Sequence, residues 1–308
     1  MLNTLNLRNR NFLSNCDLNK EEILQIFDLA KSFKNKGTNL NYSNKVLGLI
    51  FDKASTRTRV SFQVAMSRLG GSSIDLNPNT SQIGRGEPIK DTARVLSRYC
   101  DILAIRTFSH NDLEEYAKWS SKPVINALTD HEHPCQALAD YLTIKENFRE
   151  FSNLVFTFIG DGNNVANSLI LCGALLGVEF RIASPKGFEP DPLVVNKAIE
   201  ISQNKNYLKI YDNPTVAAEG ANILYTDVWS SMGEEENKFK KEDKFTGFTI
   251  NRNILTQADK DAIVLHCLPA YRGKEITDEI MESNSSKIFD QAENRLHVQQ
   301  ALLSCLLS

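Results

Sequence analysis

Seven short, nearly unbroken apolar runs recur along this chain, and longer amphipathic stretches separate them. They are "KVLGLIF" (45–51), "CDILAIRT" (100–107), "KPVINAL" (122–128), "LVFTFIG" (154–160), "VEFRIASP" (178–185), "NILYTDVW" (222–229) and "DAIVLHCLP" (261–269). A strand with one wet face alternates apolar and polar residues, whereas a strand covered on both faces has no need to. These runs therefore predict parallel strands buried beneath helices. Two of the intervening stretches, "VSFQVAMSRLG" (60–70), closed by Gly70-Gly71, and "DPLVVNKAIEISQN" (191–204), are read as helices. Repeated strand–helix alternation selects an α/β fold.

A chain of 308 residues is long for one core, so two doubly wound parallel-sheet domains are expected. The boundary is expected near 133–152, where "PCQALADYLTIKENF" reads as a connecting helix. The first domain is then 1–140, completed by a terminal helix in 292–308, and the second is 150–290. "GEEENKFKKEDKF" (233–245) reads as a charged, mobile loop. Hydrophobic residues make up 42%, enough for two cores, which argues against disorder. The net charge of -3 gives no general attraction to nucleic acid or to an anionic membrane, so any anion site must be local. No apolar run approaches the roughly 18 residues that span a bilayer, and no secretory leader is expected. The six cysteines (16, 100, 135, 172, 267, 305) form no C-x-x-C pair. That pattern opposes a disulfide scaffold or structural zinc and favours a reduced, cytoplasmic protein.

Ligands of open α/β sheets gather at the carboxyl ends of strands, and chemistry-bearing residues fall there. In "FDKASTRTRVSF" (51–62), Ser55 or Thr56 is placed to cap the following helix. Such a helix start presents N–H groups and the positive end of its dipole, and Arg57 and Arg59 can add charged donors for an anion. The alternative is a capped surface helix with solvated arginines. Arg106 ends a strand, either reaching outward to water or forming a second positive wall. His131, His133 and Cys135 crowd together, but a closed zinc site needs a fourth ligand and usually other spacing. His133, before Pro134, suits a fixed hydrogen-bond donor, with Gln136 in the first helical turn.

"FIGDGNNVANSL" (158–169) lacks the third glycine of a dinucleotide loop, and Ser184 stands where an acidic ribose partner would be sought. Asn163 and Asn164 either cap a helix or offer amides to a polar ligand. Asp227 and Cys267 end two later strands; a carboxylate beside a thiol suits a cationic amine, and a buried structural cysteine is the alternative. His266 and Cys267 are adjacent on a strand and point to opposite sides, so they make a poor nucleophile pair.

Taken in order, "STRTR" (55–59), "SQIGRGEPIKDTARVL" (81–96), H-P-x-Q (133–136), S-M-G (231–233), H-C-L-P (266–269) and "ENRLH" (293–297) resemble the carbamoyltransferase family in its ornithine-type form. The resemblance runs through nearly the whole chain. It implies a carbamoyl-phosphate domain and an ornithine domain joined by two helices, in a homotrimer. The implied reaction moves the carbamoyl group of carbamoyl phosphate to the δ-amine of L-ornithine, giving L-citrulline and phosphate, with no cofactor and no metal. The resemblance assigns Ser55, Thr56, Arg57 and Thr58 to the phosphate, with Arg106 shared between phosphate and carbonyl. His133, Gln136, Cys267, Leu268 and Arg295 would hold the carbamoyl group, and Gln82 would come from a neighbouring subunit. Asn164, Asp227, Ser231 and Met232 would receive ornithine. Arg106, His133, Asp227 and Cys267 would be the catalytic set, while Arg59 is expected to support the loop. Alternative acceptors are aspartate, putrescine and an acylated ornithine; Asp227 favours a cationic side chain and would repel aspartate.

Overall fold

The computed structural model describes residues 5–53, 55–77, 86–230 and 238–308, with backbone alone for 238–240. The chain divides into two compact units, Met1–Ala139 with Glu293–Ser308, and Asp140–Ala292.

The first unit opens with α1 (Lys20–Lys36), which begins at a reciprocal cap: Asn19 accepts from Glu22 N–H, and the Glu22 side chain accepts from Asn19 N–H. Its Ile23, Ile26, Phe27, Ala30 and Phe33 recur at helical spacing and are buried, so one stripe faces the core. Then β1 (Val46–Phe51), α2 (Thr56–Arg68), β2 (Ser72–Leu76), α3 (Ile89–Tyr99), β3 (Ile102–Arg106), α4 (His110–Trp119) and β4 (Val124–Leu128) alternate. The four strands form one parallel sheet in the order β2-β1-β3-β4. Leu47, Leu49, Ile50, Leu103, Ile105 and Val124 are sealed within it, as unbroken apolar runs predict. Gly70, at φ +80°, ends α2 in a left-handed conformation.

The boundaries between the units fall inside α5 (Pro134–Asn147) and inside the last helix, so both are shared along the chain. The second unit holds β5 (Val155–Ile159), α6 (Asn164–Leu176), β6 (Glu179–Ala183), α7 (Pro192–Ser202), β7 (Leu208–Tyr211), α8 (Pro214–Ala218) and β8 (Ile223–Thr226). After these come α9 (Lys238–Lys244), α10 (Arg252–Leu255), β9 (Ile263–His266), α11 (Asp278–Met281) and α12 (Ile288–Leu307). Its sheet is parallel throughout, ordered β7-β6-β5-β8-β9. An aromatic row stabilises its middle: Phe156 stacks on Phe180 at 4.8 Å and on Tyr225 at 5.7 Å between ring centroids.

The charged segment read as a loop contains α9, so from Lys238 to Lys244 it is helical. Among the described residues no helix is long and apolar enough to cross a membrane. None of the six cysteines is in a disulfide.

Candidate active site

Each sheet reverses its winding at one place, and parallel sheets leave a crevice there at the carboxyl ends of the strands. In the first unit the reversal lies between β1 and β3. The chain leaves β1 into the start of α2, carrying Ser55 to Thr58, and leaves β3 at Arg106. A register shift between Ile105 and Arg106 against β4 marks the strand end where the arginine emerges. Ser55 occupies the N-cap position of α2 with extended backbone but makes no side-chain cap bond, so the capping foreseen for it is absent. Its hydroxyl instead accepts from Arg106 Nη1 at 3.4 Å. Thr56 and Arg57 are exposed, whereas Thr58 is buried.

Arg295, on α12, ties this site together. Its Nη2 donates to Thr58 Oγ1 at 2.6 Å and its Nη1 donates to Gln136 Oε1 at 2.9 Å. Gln136 sits in the first turn of α5, where its N–H donates to the carbonyl of His133. His133 is buried, and its imidazole is pushed well below the usual histidine range. Burial is the main cause, followed by the charges of Arg295, Arg106 and Arg57. The ring is therefore neutral near pH 7 and stands among three guanidinium groups. Arg59 faces elsewhere: it pairs with Asp75 on β2 and lies over the Phe51 ring.

In the second unit the reversal lies between β5 and β8. After β5, Asn163 caps α6: its Oδ1 accepts from Val165 N–H at 2.9 Å and from Ala166 N–H at 3.1 Å. Asn164 is the first residue of α6. After β8, Asp227 is buried and its carboxylate is fully oriented. Oδ2 accepts from Asn163 Nδ2 at 3.0 Å; Oδ1 accepts from Val228 N–H at 2.8 Å and from Cys267 Sγ at 2.9 Å. Burial, then the Asp227 charge, pushes the Cys267 thiol well above its usual range, so it stays protonated. Leu268 follows at φ +59°, a strained value for a branched residue, before a cis bond to Pro269.

The glycines that suggest a dinucleotide loop have another cause. A Cβ on Gly162 would come within 2.4 Å of Pro190 N and 2.5 Å of Glu189 C. Only glycine lets the chain at 162 pass so close to the backbone of Glu189 and Pro190. Ligand atoms of Asp227, His266 and Cys267 lie within 4.8 Å of one another. The imidazole is nevertheless committed, since Nδ1 accepts from Leu268 N–H at 2.9 Å and Nε2 meets Glu275 Oε1 at 3.1 Å. That leaves no ring nitrogen for an ion, and no metal is assigned here.

Gln82, Ser231 and Met232 lie outside the described residues. The sequence offered Asn163 as a helix cap or an amide donor, but the resemblance carried only Asn164 into the site. A signal existed: an N-cap asparagine accepts through its oxygen and keeps its amide N–H groups for another partner.

Two doubly wound parallel-sheet units, each with a polar station at its switch point, define a two-ligand α/β protein. Residues 10–146 match the family model "Aspartate/ornithine carbamoyltransferase, carbamoyl-P binding domain", and residues 152–306 match its "Asp/Orn binding domain". An ornithine carbamoyltransferase of Prochlorococcus marinus subsp. pastoris is 71% identical over 307 residues, covering 100% of both chains. The solved ornithine carbamoyltransferase of Pyrococcus furiosus is 43% identical, with TM-score 0.93 and 98% of each chain covered. The anabolic enzyme of Campylobacter jejuni is 41% identical, with TM-score 0.88, covering 96% of this chain and 98% of its own. The chain belongs to the aspartate/ornithine carbamoyltransferase family.

Proposed function

We propose that this chain transfers the carbamoyl group of carbamoyl phosphate to the δ-amine of L-ornithine, giving L-citrulline and phosphate in the anabolic direction. The observation that carries the reading is the neutral, buried His133 among Arg57, Arg106 and Arg295 beside an uncapped helix start. The acceptor follows from the names of its relatives and from the buried Asp227 with its Cys267 partner.

Residues 1–140 with 292–308 hold carbamoyl phosphate in this reading, and 150–290 hold ornithine. The phosphate dianion sits at the start of α2, on Ser55, Thr56, Arg57 and Thr58, where the helix dipole and guanidinium donors favour negative charge. Each charge-assisted contact contributes roughly 1.5–3 kcal/mol. Arg106 spans the phosphate and the carbonyl oxygen. His133, neutral and already desolvated, donates its N–H to that oxygen, and Gln136, Leu268 and Arg295 fix the remaining carbamoyl atoms. Negative charge grows on the carbonyl oxygen as the amine attacks, so donors aimed there stabilise the transition state more than the ground state.

Asp227 draws in the δ-ammonium group, with Asn164, Ser231 and Met232 on the rest of ornithine. The ammonium first loses a proton. Its nitrogen then forms a bond to the carbonyl carbon, the carbon–oxygen bond to phosphate breaks, and the electron pair leaves with the phosphate. The new amide nitrogen sheds a second proton; one of the two ends on phosphate and one in solvent. We further read the assembly as a cytoplasmic homotrimer in which Gln82 serves a neighbouring subunit.

The test is formation of the carbamoylated product from carbamoyl phosphate with ornithine, putrescine, an acylated ornithine or aspartate as acceptor, citrulline being the product from ornithine alone. Ornithine is expected to exceed the others by orders of magnitude in kcat/KM. Equal rates with another acceptor would overturn the choice of ornithine, and sedimentation at a monomer's mass would overturn the trimer.

A further inference from the structure

A buried polar chain in the second unit lies behind the Asp227–Cys267 pair. Tyr225, Asp140 and Gln291 are wholly buried. The Tyr225 hydroxyl donates to Asp140 Oδ2 at 3.0 Å. Gln291 Nε2 donates to Asp140 Oδ1 at 2.6 Å and meets the Tyr225 oxygen at 3.2 Å. Gln291 Oε1 carries the chain on to β9 by accepting from His266 N–H at 2.9 Å, one residue before Cys267. Tyr225 also reaches the Cys267 side chain.

A tyrosine hydroxyl has a single hydrogen. While Asp140 holds it, Tyr225 has only its oxygen to offer the sulfur. That oxygen already accepts from Gln291 Nε2, so the thiol keeps its own hydrogen and gives it to Asp227 Oδ1, 2.9 Å from the sulfur. We propose that Asp140, acting through Tyr225, is a positioning residue for the amine acceptor: it fixes the direction in which Cys267 gives its hydrogen to Asp227. This rests on ornithine being the acceptor.

The groups that face the sulfur are Asp227 beyond β8, Tyr225 on β8, Asp140 on α5 and His266 on β9. His266 is in turn bound to Glu275. Burial and the two carboxylates hold the thiol protonated. Replacing Asp140 by asparagine removes one of those charges and supplies an amide that can donate to the Tyr225 oxygen. The tyrosine hydrogen is then free to turn to the sulfur and stabilise a thiolate.

The experiment titrates Cys267 by its ultraviolet thiolate absorbance in the full-length protein, with Cys267→Ser as the subtracted control. It also records the pH profile of kcat/KM for ornithine. For Asp140→Asn the thiolate is expected to appear at least one pH unit lower, and the alkaline fall in ornithine kcat/KM to move with it. KM for carbamoyl phosphate is expected to stay within twofold. Tyr225→Phe keeps the Asp140 charge, so its thiol is expected to titrate no lower than wild type, with ornithine KM raised several-fold. In the double variant the downward shift of Asp140→Asn is expected to shrink by half or more. An undiminished shift would mean that the charge acts through space alone and would overturn the role of Tyr225. An unmoved thiol in Asp140→Asn would overturn the role of Asp140. Should Asp140→Asn fail to fold, an unchanged ornithine KM in Tyr225→Phe would overturn the proposal. The thiol titration needs no substrate, so a shift without citrulline formation would refute the acceptor and spare the network.

Discussion

The helix starts that follow β1 and β5 occupy equivalent places at the switch points of their sheets, yet their chemistry is opposite. At α2 the N-cap Ser55 leaves its helix without a side-chain cap, and the nearby charges are guanidinium groups. At α6 Asn163 closes the helix start with two hydrogen bonds, and its remaining amide N–H orients a carboxylate. A helix start whose N–H groups are not taken by a side chain, beside arginines, favours a dianion. One already capped, with Asp227 held beside it, favours a cation. In the proposed reaction one fold element, used twice, would divide the two substrates by charge, and the difference lies in whether the cap residue satisfies its own helix.

The comparison breaks first at the anion side. Arg106→Ala is expected to lower kcat by about a hundred- to a thousandfold, the cost of removing an oxyanion donor. Arg57→Ala is expected to weaken carbamoyl phosphate about ten- to hundredfold, with an unchanged circular dichroism spectrum. Unaltered affinity in equilibrium dialysis would remove Arg57 from the site. Because burial and the neighbouring guanidinium groups hold His133 neutral, it should add no limb between pH 6 and 8 to the kcat/KM profile for carbamoyl phosphate. A limb lost in His133→Gln would contradict that neutrality.

On the cation side Asp227→Asn is expected to raise ornithine KM about ten- to hundredfold and to leave carbamoyl phosphate KM within twofold. Cys267→Ala removes one neutral donor from Asp227 Oδ1, so about a three- to tenfold loss in ornithine kcat/KM is expected. Steady-state kinetics with each substrate varied in turn would check both, and a larger effect on carbamoyl phosphate would reverse the assignment of the two stations.

The parallel α/β class is legible in the sequence because buried strands lose the two-residue alternation, and each of the seven unbroken runs contains a strand. The edge strands are not. In β2 only Ile74 and Leu76 are large and apolar, and β7 exposes Lys209 and Ile210, so neither makes an unbroken run. The helix of 238–244 is hidden by its charge, since a segment with few apolar residues carries no helical stripe. Within the site, the cluster at 55–58 and Arg106 are suggestive from local physics alone. Arg295 is not: its bonds to Thr58 and Gln136 join positions 237 and 159 residues apart. Only the order of the motifs pointed to it. Asn163 was visible as a helix cap, but its hold on Asp227 needs β5 and β8 side by side.

The smallest effects test the two caps directly. Asn163→Ala leaves two N–H groups of α6 without their acceptor and frees Asp227 Oδ2. Losing such a cap costs about 0.5–2 kcal/mol, which corresponds to about 2–4 °C in melting temperature per kcal/mol for a unit of this size. Ser55→Ala removes no cap bond, only a long contact to Arg106, so its stability is expected to stay within about 0.5 kcal/mol of wild type. Kinetics should invert the ranking of substrates: Ser55→Ala should raise the KM of carbamoyl phosphate alone, and Asn163→Ala that of ornithine alone. Calorimetry that finds equal destabilisation in the two variants would mean that Ser55 caps α2 in solution. The helix start would then be closed, and the contrast on which the division by charge rests would be lost.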